Sequence, residues 1–204
     1  MPSACISPKK DSDLQVSGLV PFTTVDFPGR LAAVVFCQGC AWRCGYCHNS
    51  HLQEFSPGRV SWPAVVDFLQ KRQDLLEAVV FSGGEPLAQR ALPQAMQEVR
   101  ALGYRVGLHT AGPSARRLKQ VLPFVDWIGL DFKAPSERYR EITRSSGAGE
   151  TLRSLRSIIE AGVAYEVRTT LDARLSEEDL TALRAELGPA AAARWVLQER
   201  RQRV

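Results

Sequence analysis

The sequence has no apolar run near the roughly 20 residues that a bilayer-crossing helix needs. Its longest uninterrupted apolar stretches, Leu31–Cys37 and Pro189–Ala193, span only a few residues. The opening Met1–Asp13 lacks the apolar centre of an export signal. A cytoplasmic location is therefore expected, where thiols stay reduced and disulfides are rare. There is no internal repeat, no low-complexity linker and no collagen-like composition across the 204 residues. Lysine is scarce too, with five residues against a net charge of +4, so the positive charge is mostly arginine. The densest basic run, Arg200-Arg201-Gln202-Arg203, has no interleaved aromatics, and no nucleic-acid partner is expected.

What remains is a chain with 45% apolar and 24% charged residues, enough for a sizeable soluble core. Residues 1–14 read as a flexible N-terminal arm and 15–204 as a single domain. Short apolar runs alternate with amphipathic segments. The runs are Ala32–Phe36, Ala78–Phe81, Tyr104–Leu108, Val125–Leu130, Tyr165–Leu171 and Trp195–Leu197. Such runs suit parallel strands buried on both faces. Between them, helical spacing joins Trp62, Val65, Val66 and Leu69 behind Ser61. It also joins Leu92, Ala95, Met96, Val99 and Leu102 before Gly103. Leu118, Val121 and Leu122 follow Ser114; Leu152, Leu155, Ile158 and Ile159 precede Gly162. Leu180, Leu183 and Leu187 follow Ser176 with Asp179 as a near capping box, and Gly188-Pro189 ends them. About six strand–helix units give an α/β fold, either an open doubly wound sheet or a complete or partial barrel. The pattern alone does not choose. In either case ligands collect at the C-terminal ends of the strands.

Of five cysteines, Cys37, Cys40, Cys44 and Cys47 fall within eleven residues, directly after the first of these runs. Clustered soft thiolates in a reducing compartment call for zinc or an iron–sulfur cluster. A zinc ribbon separates its cysteine pairs by about 15–20 residues, whereas the gaps here are two, three and two. That compactness favours the iron–sulfur cluster. Spacing alone does not say whether three or four cysteines are ligands. Downstream, Ser82-Gly83-Gly84-Glu85-Pro86 follows the second run. Its glycines permit close backbone approach, and its carboxylate can accept from an ammonium group. The third run leads to His109-Thr110-Ala111-Gly112, the fourth to Asp131-Phe132-Lys133, and the fifth carries Arg168. Singly, these read as a loop histidine, a local ion pair and a structural arginine. Together, at neighbouring strand ends, they suit one cavity.

Cys40-x3-Cys44-x2-Cys47, with Tyr46 before the last cysteine, resembles the signature of radical S-adenosylmethionine (SAM) enzymes, and Gly83-Gly84-Glu85 matches that family's Gly-Gly-Glu turn. The likeness extends over about residues 16–199 through Gly18–Phe22, Thr24–Arg30, Tyr46–Asn49, Asp131–Pro135, Tyr165–Thr170 and Val196–Gln198. Over those stretches the chain is most similar to glycyl-radical-enzyme activases, in particular the anaerobic ribonucleoside-triphosphate reductase activating family.

The resemblance implies a partial TIM-like barrel of about six βα units. It implies a [4Fe–4S] cluster held by Cys40, Cys44 and Cys47, and SAM on the fourth iron. SAM would be contacted by Tyr46, near the adenine, and by Gly83, Gly84, Glu85, Thr110, Asp131, Lys133 and Arg168. Cys37 falls outside the motif as a small apolar strand-end residue, and Cys5 has no assigned role. A 5′-deoxyadenosyl radical would then take hydrogen from a glycine of a partner glycyl radical enzyme, with no side-chain general base. A reduced flavodoxin or ferredoxin-type protein would supply the electron, and neither nucleic acid nor membrane takes part. One departure stands out: where the family usually reads Thr-Asn-Gly, often after an acid, this chain has His109-Thr110-Ala111-Gly112. Two other readings stay open. One is a radical SAM enzyme acting on a small molecule, like a deazapurine synthase. The other is an electron carrier that uses all four clustered cysteines.

Overall fold

A computed structural model describes residues 13–199. Cys5, the arginine-rich end and all of the expected arm except Asp13 and Leu14 lie outside the described residues; Leu14 is buried in the core. The strands are β1 (Val16–Thr23), β2 (Ala32–Cys37), β3 (Ala78–Gly83), β4 (Arg105–Thr110), β5 (Trp127–Asp131), β6 (Ala164–Thr170) and β7 (Trp195–Gln198). They form one sheet in chain order, β1 to β7. β2 to β7 are parallel, and β1 pairs antiparallel with β2 at the edge.

This order decides between the two architectures left open by the pattern. A doubly wound sheet reverses its strand order at a switch point. Here the order never reverses, so right-handed crossovers place every connecting helix on the same face. The other face curls inward as a partial barrel, with β1 and β7 as unjoined edges.

The helices are α1 (Trp62–Gln70), α2 (Leu92–Ala101), α3 (Ala115–Val121), α4 (Tyr139–Thr143), α5 (Ala148–Ala161) and α6 (Glu177–Ala192). The alternation along each strand builds two cores. Ala33, Val35, Val79, Phe81, Leu108 and Leu130 face the helices, meeting Leu69, Met96, Leu118 and Ile158. Ala32, Val34, Ala78, Val80 and Trp127 face inward and close over Phe27 from the β1–β2 hairpin. Phe27 and Trp127 sit 5.8 Å apart, plugging the end where the parallel strands begin. Polar groups are left to the other end.

The expected caps mostly form. Ser114 Oγ accepts from the Arg117 amide at 3.3 Å, and Ser176 with Asp179 completes a reciprocal capping box. Ser61 stands at the start of α1, but its side chain makes no cap bond; its carbonyl accepts from Ala64 and Val65 instead. Gly188 leaves helical geometry at φ 70, ψ 169, as Gly188-Pro189 predicts, and the chain then resumes a short turn to Ala192.

Two elements go beyond the expected set. β1 escapes because Gly18 and Pro21 break its alternation and two register shifts interrupt its pairing. α4 has five residues, too few to show a period, and ends on left-handed Arg144 at φ 55. Among the described residues no helix is long and apolar enough to cross a membrane.

Candidate functional site

β2 ends at Cys37 and delivers the chain into the cysteine loop at the barrel's open end. The loop is pinned through its amides. Gly39 donates to the Leu52 carbonyl at 2.8 Å and Cys40 to Gln53 at 3.1 Å. Arg43 donates to Thr143 at 3.1 Å and Gly45 to Ile142 at 3.4 Å. Those last two acceptors belong to the final turn of α4, whose carbonyls have no partner within the helix. The short helix and the loop thus satisfy each other. Trp42 packs edge-on against Tyr139 of α4 at 5.5 Å. Arg174 braces the same region: it grips Asp172 through Nε at 2.6 Å and a terminal nitrogen at 3.1 Å. It also donates to the Glu141 carbonyl at 3.2 Å and lies over Gly45. Neither α4 nor the Asp172–Arg174 brace was among the expected site residues. An Asp-x-Arg after a strand is too common to serve as a signal.

The cysteines divide by environment. Cys37 is fully buried on the helix-facing side, and burial holds its thiol far above the usual range. Cys40, Cys44 and Cys47 are partly buried on the loop. Burial and then the negative charge of Glu85 push the Cys40 thiol up to about 11, and burial also raises Cys44. Cys40 Sγ accepts from the Trp42 amide at 3.4 Å. No trio of His, Cys, Asp or Glu among the described residues is gathered as for one metal ion.

The Gly-Gly-Glu turn lies against this loop. Gly83 adopts φ +102, and an added Cβ would stand 2.8 Å from the Cys37 amide nitrogen; at Gly84 it would overlap the Gly39 carbonyl. The glycines therefore let the turn meet the chain's own backbone, and Glu85 N donates to the Gly39 carbonyl at 2.9 Å. Glu85 is buried. Its Oε1 accepts from Thr110 Oγ1 at 2.6 Å and Leu87 N at 3.0 Å, and its Oε2 from Ala111 N at 2.9 Å. Burial still lifts its carboxyl above the usual range. A carboxylate offers about four acceptor positions, so one remains for an incoming ammonium. Thr110 spends its hydroxyl orienting Glu85.

On the next strands Asp131 lies between two cations. Arg168 reaches its Oδ1 at 2.8 and 2.9 Å, and Lys133 its Oδ2 at 3.2 Å. Burial alone would raise the Asp131 carboxyl, but Arg168 and then Lys133 hold it well below the usual range. Likewise burial acts against the Lys133 ammonium, and Asp131 outweighs it. Gly129 makes the room: a Cβ there would stand 2.7 Å from the Arg168 guanidinium carbon. Lys133 Nζ also lies 5.9 Å from the Tyr46 ring centre and 6.0 Å from that of Trp42, which ties the triad to the cysteine loop. The Tyr46 hydroxyl is the one buried side-chain polar atom without a hydrogen-bond partner among the described residues. His109 stands on the inner wall. Its Nε2 faces the Asp26 carbonyl at 3.0 Å and its Nδ1 the Ser82 hydroxyl at 3.2 Å. A carbonyl only accepts, so Nε2 carries the proton and Nδ1 accepts from Ser82.

The family model described as the radical SAM superfamily matches residues 34–186. The chain belongs to the radical SAM superfamily. It is thus an enzyme of a family whose membership implies a [4Fe–4S] cluster and SAM. This radical SAM chain is 29% identical over 175 residues to a Methanocaldococcus jannaschii protein provisionally named a glycyl-radical enzyme activating enzyme, covering 80% of itself and 71% of that relative. It is 31% identical over 135 residues to the pyruvate formate-lyase-activating enzyme of Clostridium pasteurianum, covering 61% of itself and 55% of that protein. The chain therefore spans only about half the length of the latter. Among solved structures, SuiB of Streptococcus suis bound to its precursor peptide SuiA superposes with a TM-score of 0.68 at 13% identity. That match covers 82% of this chain and 38% of SuiB, and it shows the fold alone.

The residues present fit both groups. Three thiols share one anchored loop, with an amide already directed at one sulfur. Beside them stand a carboxylate with an acceptor to spare, two cations around one aspartate, and an unpartnered buried phenol. The donor set suits iron–sulfur ligation, and the polar groups suit an amino acid joined to an adenosine.

Proposed function

We propose that this chain activates a glycyl radical enzyme, with anaerobic ribonucleoside-triphosphate reductase as its partner. The observation that carries the reading is the convergence of Cys40, Cys44 and Cys47 with Glu85, Lys133 and Tyr46 at the open end of a barrel whose two edges do not meet. A protein loop fits such an opening. Relatives named as activating enzymes support it, as does the likeness of Asp131–Pro135 and Tyr165–Thr170 to the reductase-activating family.

In this reading Cys40, Cys44 and Cys47 hold the cluster, and Cys37 stays a core residue. Glu85, oriented by Thr110 and the Ala111 amide, takes the SAM ammonium. Lys133 and Arg168, ordered by Asp131, face its carboxylate, and the Tyr46 hydroxyl meets the adenine. Gly83 and Gly84 hold Glu85 against the loop. When bound, the two groups supply a one-electron cleavage of SAM whose 5′-deoxyadenosyl radical takes a hydrogen atom from a glycine Cα. The protein orients the reactants and excludes water. Residues 15–204 act as one domain in the cytoplasm, fed by a reduced flavodoxin or ferredoxin-type donor.

The test is anaerobic reconstitution with iron and sulfide, then reductant, SAM and either candidate partner, the reductase or pyruvate formate-lyase. A glycyl-radical EPR signal on the reductase supports the proposal. A signal only on pyruvate formate-lyase reassigns the partner, and SAM cleavage with no protein radical on either overturns the activase reading.

A further inference from the structure

The proposed chemistry consumes one electron per turnover and so needs a way in for a donor. The inner side of the cysteine loop is committed. Glu85, Asp131, Lys133, Arg168 and Tyr46 converge there, and a glycine must reach the same space. A donor entering from that side would compete with SAM and substrate. The outer side of the loop is laid on α4, through the amides of Arg43 and Gly45 on the last carbonyls of that helix.

That outer surface is basic. Arg43 on the loop, Arg140 on α4 and Arg144 just after it are all exposed. None of the three pairs with a carboxylate in the ion pairs of the described residues. Glu141 is the one acid on α4, and Arg138 holds it at 2.9 Å. The Arg43 guanidinium folds back onto the Cys40 and Trp42 carbonyls, which holds its charge against the backbone of the cysteine loop. Arg144 is the one non-glycine residue with positive φ among the described residues, a conformation in which glycine would be cheaper. Its backbone follows Thr143, whose carbonyl takes the Arg43 amide, so two of the three arginines flank one hydrogen bond.

We infer that Arg43, Arg140 and Arg144 form the docking surface for an acidic protein that carries one low-potential electron on a flavin or iron–sulfur centre. This rests on the activase reading above and adds the route by which that site is reduced. The donor's centre loses one electron, the iron–sulfur group of this chain gains it, and no bond forms or breaks. Complementary charge guides encounter and fixes orientation. The site lies one residue from Cys44, which keeps the transfer short without entering the SAM cavity.

The test is stopped-flow reduction of the reconstituted, cluster-loaded protein by photoreduced flavodoxin, followed as bleaching of the cluster absorbance at low and high salt. R140E/R144E is compared with wild type, and dithionite serves as a small reductant that needs no docking. Cluster content reports folding. R140E/R144G, which relaxes the left-handed turn, guards against a purely conformational effect. The expected result is a drop of about tenfold or more in the flavodoxin rate at low salt, with a flattened salt dependence, in both variants. Dithionite reduction stays unchanged. A reducible wild type whose flavodoxin rate and salt slope survive both variants overturns this proposal alone. Loss of affinity for the glycyl radical enzyme with flavodoxin reduction intact also overturns it, by giving the surface to the substrate protein. A wild type that holds no cluster, or that cleaves no SAM with dithionite, overturns the activase reading and this proposal with it.

Discussion

Acidification should weaken the fold through His109, and the size of the effect follows from its surroundings. The ring is half-buried between Ser82, the Asp26 carbonyl and the edge of Trp127, whose centre lies 5.6 Å away. Burial, and then the positive charge of Arg168, lower its pKa from 6.5 to about 4, against smaller opposing pulls from Asp131 and Asp26. Below 6.5 the unfolded chain binds a proton that the folded chain refuses until about 4, so stability is lost as pH falls through that window. At about 1.4 kcal/mol per pKa unit, the whole window is worth about 3 kcal/mol, of which about 2 kcal/mol is spent between pH 7 and pH 5.

Glu85 acts with the opposite sign over part of this range. Its carboxyl is raised above 4.5, so the folded state gains stability on acidification toward that value. The lowered Asp131 loses its contribution only below 3.8. The assay is therefore a difference. Urea unfolding of the cluster-free chain in reducing buffer is measured at both pH values for wild type and for His109→Gln. The glutamine amide can donate to Asp26 and accept from Ser82 but does not titrate. Wild type should lose about 2 kcal/mol more than the variant on going to pH 5. Parallel losses in the two proteins would refute the neutral assignment of the half-buried His109.

The ligand assignment predicts that Cys40→Ser, Cys44→Ser and Cys47→Ser each abolish iron uptake after anaerobic reconstitution, measured as iron and sulfide per chain. Cys37→Ala should keep a full cluster and cost about 1–2 kcal/mol in urea unfolding, from the buried sulfur alone. Gly84→Ala drives a Cβ into the Gly39 carbonyl, which has no side-chain slack to give. It should cost about 1–3 kcal/mol and lower cluster occupancy, whereas a variant with normal unfolding and iron content contradicts the close packing. Arg174→Ala removes the brace on Gly45 and the Glu141 carbonyl, so a chelator should strip the cluster several-fold faster. Arg174→Lys should not restore the rate, because an ammonium cannot grip Asp172 through two nitrogens.

Local patterning carried most of the scaffold into view. Five of the six helices announce themselves by period and the six parallel strands as short apolar runs, although Val196 and Leu197 of β7 stay exposed at the sheet edge. The architecture was less legible. Whether βα units wind one way or two is a property of strand order, and no residue spells it out. β1 stayed hidden because an edge strand that pairs on one side and carries Gly18 and Pro21 lacks the apolar continuity of the buried strands. α4 is hidden for a different reason. Its stability comes from what leans on it, through the carbonyls of Ile142 and Thr143 and the ring of Tyr139, and none of this shows in a window of five residues.

The site illustrates the same division between near and far. Cys40, Cys44 and Cys47 are legible as a group because thiols that share one loop are close in sequence. Glu85 is legible as a carboxylate beside two glycines, but its setting is not. In the fold the glycines serve the approach of two backbones, and that approach brings Glu85 near enough for its charge to bear on the Cys40 thiol. Its orientation comes from Thr110 and Ala111, in the stretch where the chain departs from Thr-Asn-Gly. The departure costs little at Ala111, because the bond to Glu85 uses the backbone amide, which any residue except proline supplies. At His109 a neutral imidazole now stands on the inner wall, tied to the β1–β2 hairpin through the Asp26 carbonyl. The hairpin also inserts Phe27 into the inner core. The histidine thus joins the floor of the barrel to its wall, a structural task that accounts for a half-buried base with no part in the proposed hydrogen transfer.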